Sequence, residues 1–287
     1  MTLEHLVLVP YGQLSNRMRA IASAKRVCEI AGARCSIVWN WPDYEALFHN
    51  DPSISLLPSL PDDLEQRYNA MRTLMNEEGG SPETRRIPLD GPAGIVLKSC
   101  HCFAEPSDGK PINESDLVPW LPQPGDGIRD KVAAFRADNM ARGPVAGLHM
   151  RRTDHRAARA RSPDWLFLRV ARAARRNGEG IYLATDDPKT EAKMRARLSG
   201  QVISYPKKPD RQRRPEAVPE LAELIDDYVD LLLLSACDYV VGSWGSSYSS
   251  LAMAINGSPR CRRLFTRWGW PLRLQPKGPQ AERPRSR

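Results

Sequence analysis

The 287-residue sequence has no long apolar run, and this absence excludes a membrane-spanning helix. Its longest run, from Leu231 to Cys237, is far shorter than the roughly 18 residues that span a bilayer. The first residues, MTLEHLVLVPYG, carry Glu4 where a secretion signal needs positive charge. We therefore expect no secretion signal and a cytoplasmic location.

Three common ligand-binding signatures are also missing. Cys100 and Cys102 have neither the spacing nor the second Cys/His pair of a zinc finger, so we expect reduced thiols and no metal. The turn after the first predicted strand is not G-x-G-x-x-G, and no Gly-Lys-Ser/Thr closes a P-loop. The sequence therefore predicts neither a Rossmann dinucleotide site nor any other bound cofactor.

Positive charge is in excess and unevenly placed. The formal net charge is +8, and the segment from Arg151 to Arg176 holds nine arginines and two acids. A second segment, from Lys207 to Arg214, holds five bases and one acid. This pattern is typical either of a solvated basic face or of a surface that attracts a nucleotide, a nucleic acid or a lipid headgroup. Charge alone does not choose between them.

Strand and helix patterns alternate on both sides of a proline-rich middle. They predict an α/β fold with two lobes, residues 1–140 and 141–275. Within the first lobe, residues 51–125 are predicted to be irregular apart from short pieces such as a helix near 62–76. Residues 276–287 are predicted to form a disordered basic tail.

Four of the predicted strands lead into polar clusters. Because ligands of open α/β sheets bind at the carboxyl ends of the strands, we expect these clusters to form the functional site. The strands are Leu6–Val9, Val145–Met150, Ile181–Ala184 and Tyr239–Val241, and the clusters are Gln13–Arg17, Arg151–Asp154, Thr185–Asp187 and Ser243–Ser249.

The charged residues of these clusters suit an anionic ligand. Arg151 follows a buried strand, and a guanidinium binds phosphate through two parallel hydrogen bonds. Asp154 is placed to hold this loop, although an exposed turn with a structural ion pair is an equal alternative. Asp186 and Asp187 are suited to a ribose, a base edge or a divalent metal, while helix capping before Pro188 explains only one of them.

Hydroxyl, amide and acidic side chains complete the candidate set. The serine-rich cluster precedes a predicted helix, where its serines either bind an anion or cap the helix. Asn16 and Arg17 are donors suited to a sugar or a phosphate. Asp230 leads into an apolar run, so we expect a buried partner for its carboxylate.

In this order, the motifs resemble those of the GDP-fucose-dependent fucosyltransferase superfamily, in particular the α1,6-fucosyltransferases of rhizobial nodulation and animal core fucosylation. The sequence carries GQLSNRMRA from Gly12, HMRRTD from His149, ATDDP from Ala184 and DLLLLSACD from Asp230. The resemblance implies a GT-B-like fold, in which two Rossmann-like lobes enclose a donor cleft. It also implies inverting, metal-independent transfer of fucose from GDP-fucose, for which we expect a glycan or lipid-linked acceptor.

The resemblance assigns a role to each motif. The first arginine of HMRRTD, Arg151, holds the donor diphosphate, and His149 and Asp154 of that motif support it. Asp186 and Asp187 match the pair of acids near the nucleotide, and Asp230 matches an acid on the following helix of the family. The loop that carries Asn16 and Arg17 faces the cleft. We therefore predict that Arg151 and His155 are catalytic and that the donor is bound by Asn16, Arg17, His149, Arg152, Asp154, Asp186, Asp187, Asp230, Ser243, Ser246 and Ser247.

One position departs from the family pattern. In the animal core-fucosylation enzymes, the base that deprotonates the acceptor is assigned to an acid eight residues after the diphosphate arginine. Arg159 stands there in this chain. His155 is the replacement base that we predict, because the unperturbed pKa of histidine lies near neutrality.

Other functions stay open on the sequence alone. They are transfer from another nucleotide sugar, binding of a sugar nucleotide without transfer, and binding of nucleic acid through the two basic segments. Aromatic residues do not alternate with the bases and no known nucleic-acid motif occurs, so we expect no nucleic-acid partner. Contact with a membrane surface is compatible with the charge.

Overall fold

The computed structural model describes residues 3–61, 63–64, 71–74, 87, 89, 93–104, 112–153, 155–207 and 218–266, with the backbone alone for 71–74. These residues form two parallel β-sheets with helices packed against them, which confirms the predicted α/β class. The predicted C-terminal tail, 276–287, lies outside the described residues.

The first sheet comes from the N-terminal third of the chain. Its strands are β1 His5–Pro10, β2 Arg34–Val38, β3 Ser55–Leu57, β4 Met71–Leu74 and β5 Gly94–Ser99. They lie in the order β3-β2-β1-β5-β4, and all pairings are parallel. Leu6, Val7 and Leu8 of the central strand are fully buried, as expected for a parallel sheet that is covered on both faces.

The second sheet comes from the C-terminal half. Its strands are β6 Val145–Met150, β7 Gly180–Thr185, β8 Tyr239–Ser243 and β9 Arg262–Leu264. They lie in the order β7-β6-β8-β9, again with parallel pairings. A single parallel bridge from Ile203 to Tyr182 extends the sheet beyond β7. The carboxyl ends of these strands therefore lie along one edge.

Helices lie between most of the strands in the chain, as crossover connections between parallel strands require. They are α1 Leu14–Ala31, α2 Tyr44–Leu47, α3 Asp126–Asn139, α4 Arg156–Arg161, α5 Asp164–Arg176, α6 Pro188–Arg197, α7 Leu221–Ser235 and α8 Ser247–Asn256, together with a 3-10 helix Glu114–Trp120. Gly32 ends α1 with a positive φ of 64°, a conformation that glycine adopts without strain. None of the described helices is both long and apolar enough to cross a membrane.

The two halves are joined by direct packing. The Tyr228 ring of α7 lies 5.2 Å from the Phe48 ring, and its hydroxyl donates a 3.0 Å hydrogen bond to the Pro122 carbonyl. The Ser15 hydroxyl of α1 lies 3.2 Å from the Ser247 hydroxyl of α8. The loop after β1 is thereby held close to the start of α8.

The structure bears on two predictions for the first half, the helix near 62–76 and the boundary near residue 140. The helix predicted near 62–76 is wrong over 71–74, which form β4 and pair with β5; the rest of that prediction lies largely outside the described residues. The Phe135 ring of α3 packs 5.4 Å from Tyr205 and 6.4 Å from Tyr182. This helix therefore contacts the second half, and the boundary near residue 140 stays a prediction.

A close approach of β8 to α8 fixes the edge of the second sheet. A Cβ atom on Gly242 would lie 2.6 Å from the Ser249 hydroxyl oxygen, so Gly242→Ala must push α8 away from the strand. We expect this variant to lose about 1–3 kcal/mol of unfolding free energy, the usual cost of overpacking. Thermal unfolding would then shift down by several degrees.

The control for this experiment is Gly127→Ala in α3. A Cβ atom there meets nothing within 4 Å, and alanine is the better helix former, so stability should be unchanged or slightly raised. Equal melting temperatures for the two variants would contradict the packing described here.

Candidate functional site

The carboxyl ends of β6, β7 and β8 meet at one edge of the second sheet. Met150 pairs with Thr185, and His149 pairs with Gly242, so the residues that follow leave the sheet side by side. A cavity of about 270 Å³ lies at this edge. Its walls include His149, Arg151, Asp186, Lys207, Asp230 and Tyr248.

Asp186 organises the loop that follows β6. Its Oδ1 atom accepts a 2.7 Å hydrogen bond from the backbone N–H of Arg152, and its Oδ2 atom accepts bonds from the Thr153 hydroxyl at 2.7 Å and the Thr153 N–H at 3.3 Å. The Arg151 guanidinium lies 3.2 Å from the same Oδ2 atom. Arg151 is therefore held in one orientation at the cavity wall, with about 15% of its side chain exposed.

Arg152 points away from the cavity. Its Nε atom donates to Asp164 at 3.0 Å, and its Nη2 atom donates to the Ser162 carbonyl at 2.9 Å. The guanidinium also lies 5.3 Å from the Phe167 ring centroid. These contacts fasten the start of α5 beneath the loop, and they do not support the donor-binding role predicted for Arg152.

Asp187 caps a helix, unlike its neighbour. Its carboxylate accepts hydrogen bonds from the Lys189 N–H at 3.2 Å and from the Thr190 N–H and hydroxyl at 3.1 and 2.6 Å. The adjacent acids thus have separate structural tasks, one in the loop and one at the start of α6. No group of three potential metal-ligating His, Cys, Asp or Glu side chains occurs among the residues that the structure describes.

The serine-rich turn ties β8 to the same loop. The Ser243 hydroxyl donates to the His149 carbonyl at 3.1 Å and accepts from the Arg151 N–H at 3.0 Å. Ser246 is the N-cap of α8, since its hydroxyl accepts a 3.4 Å bond from the Ser249 N–H. Ser243 therefore supports Arg151 through the backbone, and capping accounts for Ser246.

His149 is a neutral, buried side chain beside the cations. Its Nδ1 atom lies 2.6 Å from the Ser249 hydroxyl, and its ring lies 4.6 Å from that of Tyr248. Burial holds the pKa of the imidazole well below its usual range, and the positive charges of Arg151 and Lys207 lower it further. The ring therefore adds no positive charge to the cavity at neutral pH.

Asp230 has the buried partners that its sequence context requires. Its Oδ1 atom accepts a 2.6 Å bond from the Tyr182 hydroxyl, and its Oδ2 atom accepts a 3.1 Å bond from the Tyr248 hydroxyl. The Lys207 ammonium forms an ion pair with Oδ2. Burial, followed by the charge of Asp230, raises the pKa of Tyr182, so this phenol stays a hydrogen-bond donor.

Sequence reasoning missed Lys207 and both tyrosines as members of the site. They are distant from Asp230 in the chain and converge only through the packing of α7, α8 and β7. The available signals were the basic segment from residue 207, considered only as charge, and the expectation that Asp230 needs a partner.

His155 is an N-cap residue with its Nδ1 atom occupied. This atom accepts a 3.0 Å hydrogen bond from the Ala158 N–H at the start of α4. A neutral imidazole with Nδ1 accepting carries its proton on Nε2, and a Cβ atom on Gly245 would lie 3.6 Å from that Nε2 atom. The Nε2 atom of His155 therefore lies towards the serine-rich turn, and the base role predicted for this residue stays a prediction.

The N-terminal loop lies at the end of the first sheet, outside the cavity wall. The Arg17 guanidinium donates to the Gly12 carbonyl at 3.0 Å and to Asn40 at 2.9 Å, and it stacks 3.9 Å from the Trp41 ring. Burial lowers its pKa to about 10. Asn16 packs against the Gly12 turn, where φ is 81°. The structure thus brings neither Asn16 nor Arg17 to the wall beside Arg151.

Two further predicted residues complete this account. Ser247 lies at the contact between the halves, through its hydroxyl and that of Ser15. Asp154 lies outside the described residues, so its predicted role stays a prediction.

The burial of His149 leads to a pH-dependent stability. Because its folded pKa is depressed, the unfolded chain binds more protons as the pH falls below about 6.5. The free energy of unfolding should then fall by about 1.4 kcal/mol per pH unit from this residue until the folded pKa is reached. We expect His149→Gln to show a shallower loss of stability below pH 6.5 in urea unfolding, whereas His49→Gln, at an exposed site, should keep the original slope. Parallel slopes for His149→Gln and the unaltered chain would contradict the prediction.

Solved structures of fucosyltransferases are similar to this chain in fold. NodZ α1,6-fucosyltransferase co-crystallised with GDP matches 88% of this chain and 92% of that chain, with 14% identity and a TM-score of 0.54. Fucosyltransferase NodZ from Bradyrhizobium gives a TM-score of 0.52 with 14% identity, over 88% of this chain and 93% of that chain. POFUT1 in complex with GDP-fucose gives 0.53 with 12% identity, over 92% and 98%.

The sequence itself matches no protein-family model and no curated protein. The similarity to these solved structures therefore concerns the fold alone. The chain has the two-lobed GT-B-like fold that NodZ and POFUT1 share.

Proposed function

We propose that this chain is a glycosyltransferase that transfers fucose from GDP-fucose to a glycan or lipid-linked acceptor. One observation carries the proposal. The Arg151 guanidinium is fixed by Asp186 at the wall of a cavity where three parallel strands end. The proposal is supported by the similar fold of NodZ co-crystallised with GDP and of POFUT1 in complex with GDP-fucose.

The proposed chemistry uses Arg151 as the group that stabilises the leaving diphosphate. The bond between the fucose anomeric carbon and the diphosphate oxygen breaks, and its electron pair goes to the diphosphate. A guanidinium that is already oriented interacts more strongly with this growing charge than with the ground state, which lowers the barrier. The hydrogen bonds of Asp186 to the loop supply the orientation in advance.

We further propose an inverting reaction without a metal ion. The acceptor oxygen attacks the anomeric carbon opposite the diphosphate, the new carbon–oxygen bond forms as the old one breaks, and the hydroxyl proton passes to a base. The commitment of Asp186 to the loop and of Asp187 to the α6 cap supports metal independence, because both carboxylates already have hydrogen-bond donors.

The proposal also includes the location of the protein and the kind of acceptor. We propose a cytoplasmic location for the protein. The exposed arginines of α4, Arg156 and Arg159, are suited to an anionic acceptor or to a membrane surface that carries a lipid-linked one.

Ligand-dependent thermal unfolding tests the donor class. GDP and GDP-fucose at 100 times Kd should add about 2.7 kcal/mol of stability, whereas UDP-sugars should add none. Arg151→Ala should bind GDP at least tenfold more weakly, because the diphosphate loses its bidentate donor. The stabilisation by GDP should fall accordingly. In Arg151→Lys it should fall less, since the charge is kept.

The matched control is Arg172→Ala, which removes an exposed arginine of α5 while leaving the cavity intact. It should respond to GDP like the unaltered chain. Full stabilisation of Arg151→Ala by GDP would remove Arg151 from the site. Stabilisation by a different nucleotide sugar alone would replace fucose as the donor sugar.

Binding of a sugar nucleotide without transfer is the second candidate. It is favoured by the geometry of His155, whose Nδ1 atom caps α4, and by the presence of Arg159 where the resemblance places an acid. Transfer of fucose to glycan acceptors, measured with GDP-fucose as donor, separates the two functions. A nucleic-acid-binding protein would instead show steeply salt-dependent affinity for RNA or DNA and no response to GDP.

A pair of substitutions at His155 tests whether this residue is the base. Asparagine is a good N-cap, so His155→Asn should keep the start of α4 and retain transfer activity within a few-fold. His155→Ala should lose part of the cap and thus stability. A drop of about 10²-fold or more in both variants, with loss of the acidic limb of the kcat/KM profile, would identify His155 as the base.

A further inference from the structure

A buried serine between α4 and α5 joins three segments of the second half near the protein surface. The Ser162 hydroxyl donates a hydrogen bond to the carbonyl of Leu264, the last residue of β9, and accepts a 2.9 Å bond from the N–H of Trp244, in the turn after β8. Ser162 itself is fully buried. The end of β9 and the turn after β8 are therefore held against the start of α5.

Two aromatic side chains are exposed at this junction. Trp165, the second residue of α5, is 50% exposed, and Phe265, which follows β9 directly, is 53% exposed. The Thr266 N–H donates a 2.9 Å hydrogen bond to the Arg161 carbonyl, so this part of the chain is fixed beside the end of α4. A single exposed apolar residue is ordinary on a protein surface, whereas a group of them indicates a site of interaction.

The arginines of α4 lie next to this junction. Arg156, Arg159 and Arg161 are all exposed, and the first two share one face of the helix because they are three residues apart. The Arg161 guanidinium stacks 3.8 Å from the centroid of the Trp244 ring. We call this set the basic aromatic surface, and its members are Trp165, Phe265, Arg156, Arg159 and Arg161.

The positive charge of this surface exceeds what the acids of its own segment can balance. Residues 155–178 contain seven arginines and one acid, Asp164. The Asp164 carboxylate already forms ion pairs with Arg152 at 3.0 Å and with Lys193 at 2.6 Å. Charge complementarity therefore favours an anionic partner.

The basic aromatic surface is fastened to the cavity through Arg152. The guanidinium of this residue donates to the Ser162 carbonyl at 2.9 Å and to Asp164 at 3.0 Å, while its backbone N–H donates to Asp186 at 2.7 Å. Arg151, at the cavity wall, is the preceding residue. A partner bound at this surface would therefore lie beside the loop that carries Arg151.

An anionic phospholipid bilayer fits this combination of side chains. Tryptophan and phenylalanine rings insert at the level of the lipid headgroups, and arginines near the surface attract anionic lipids. A single-stranded nucleic acid would instead need open aromatic faces along a groove. Here one face of Trp244 is covered by the Arg161 guanidinium, and neither Trp165 nor Phe265 lines the cavity.

We propose that the basic aromatic surface docks this protein on an anionic phospholipid bilayer. Trp165 and Phe265 lie at the headgroup level in the docked state, and the arginines of α4 contact the lipid phosphates. The docking itself is independent of the reaction, but its purpose rests on the proposed function. A docked protein holds the loop of Arg151 close to the membrane, which is where a lipid-linked acceptor is found.

The first experiment measures binding of the full chain to vesicles by co-sedimentation. One set of vesicles is phosphatidylcholine alone, and the other contains an equal part of phosphatidylglycerol. We expect binding to the anionic vesicles only, and a roughly tenfold weaker affinity for Trp165→Ala and for Phe265→Ala, because each loses the burial of a ring. Ile30→Ala is the control, since Ile30 is 49% exposed at the end of α1 and lies outside this surface. It should bind like the unaltered chain.

The second experiment separates a local site from the net positive charge. The double variant Arg156→Ala/Arg159→Ala should bind the anionic vesicles more weakly by about fivefold for each arginine removed. The control, Arg136→Ala/Arg142→Ala, removes the same charge from two exposed positions that precede β6. It should lose much less affinity. Equal losses in the two double variants mean that net charge alone binds the lipid, which overturns the proposal.

Other occupants of the surface give other results, and each of them overturns the proposal. Binding of RNA or DNA without binding of anionic vesicles assigns the surface to nucleic acid. A Trp165→Ala variant that changes the oligomeric state in light scattering assigns it to a second copy of this chain. A large fall in melting temperature with unchanged vesicle affinity assigns Trp165 to a contact within the chain. Should Trp165→Ala fail to fold, Phe265→Ala and the arginine variants decide.

The proposed function and the docking surface fail in different ways. Vesicle binding as expected, with no stabilisation by GDP, rejects the proposed donor and leaves the docking surface in place. Stabilisation by GDP without binding to anionic vesicles rejects only the docking surface.

Discussion

The functional site depends on the Asp186 carboxylate. The register of β6 and β7 pairs Met150 with Thr185, so the loop after β6 and this carboxylate leave the sheet together. The carboxylate accepts from the N–H groups of Arg152 and Thr153, which lie beyond the last strand residue. Both backbone N–H groups thereby have the same carboxylate as their acceptor, and these bonds determine the path of the loop. The direction of the Arg151 guanidinium, 3.2 Å from the same carboxylate, follows from that path.

The charges of the cavity are arranged around fixed cations. Arg151 has Asp186 as its carboxylate, and Lys207 has Asp230. His149 lies beside both cations, and burial keeps it neutral, so no group of intermediate pKa adds charge at this point. Cations that are already paired and oriented need little rearrangement when charge develops on a ligand. This is the physical condition under which a protein stabilises a transition state better than water does.

The sequence predicts where the site elements lie better than it predicts where their side chains point. The apolar runs identify β6, β7 and β8 to within two residues, and parallel pairing brings their polar ends together. Neighbouring residues of the same type nevertheless have different contacts. Arg151 faces the cavity, while Arg152 turns towards α5. Asp186 holds the loop, while Asp187 caps α6. A linear pattern does not contain this difference. Nor does local propensity predict β4, whose strand conformation comes from its pairing with β5.

The cavity also divides the proposed task between the two sheets. The residues that line the cavity all belong to the second half, so in the proposed reaction that half binds the nucleotide. The first half meets the second at the start of α8, through the hydroxyls of Ser15 and Ser247. There the loop after β1 approaches α8, and the Arg17 guanidinium packs on Trp41. In the proposed reaction the second half binds the nucleotide, and we expect the acceptor to approach at the boundary between the two halves.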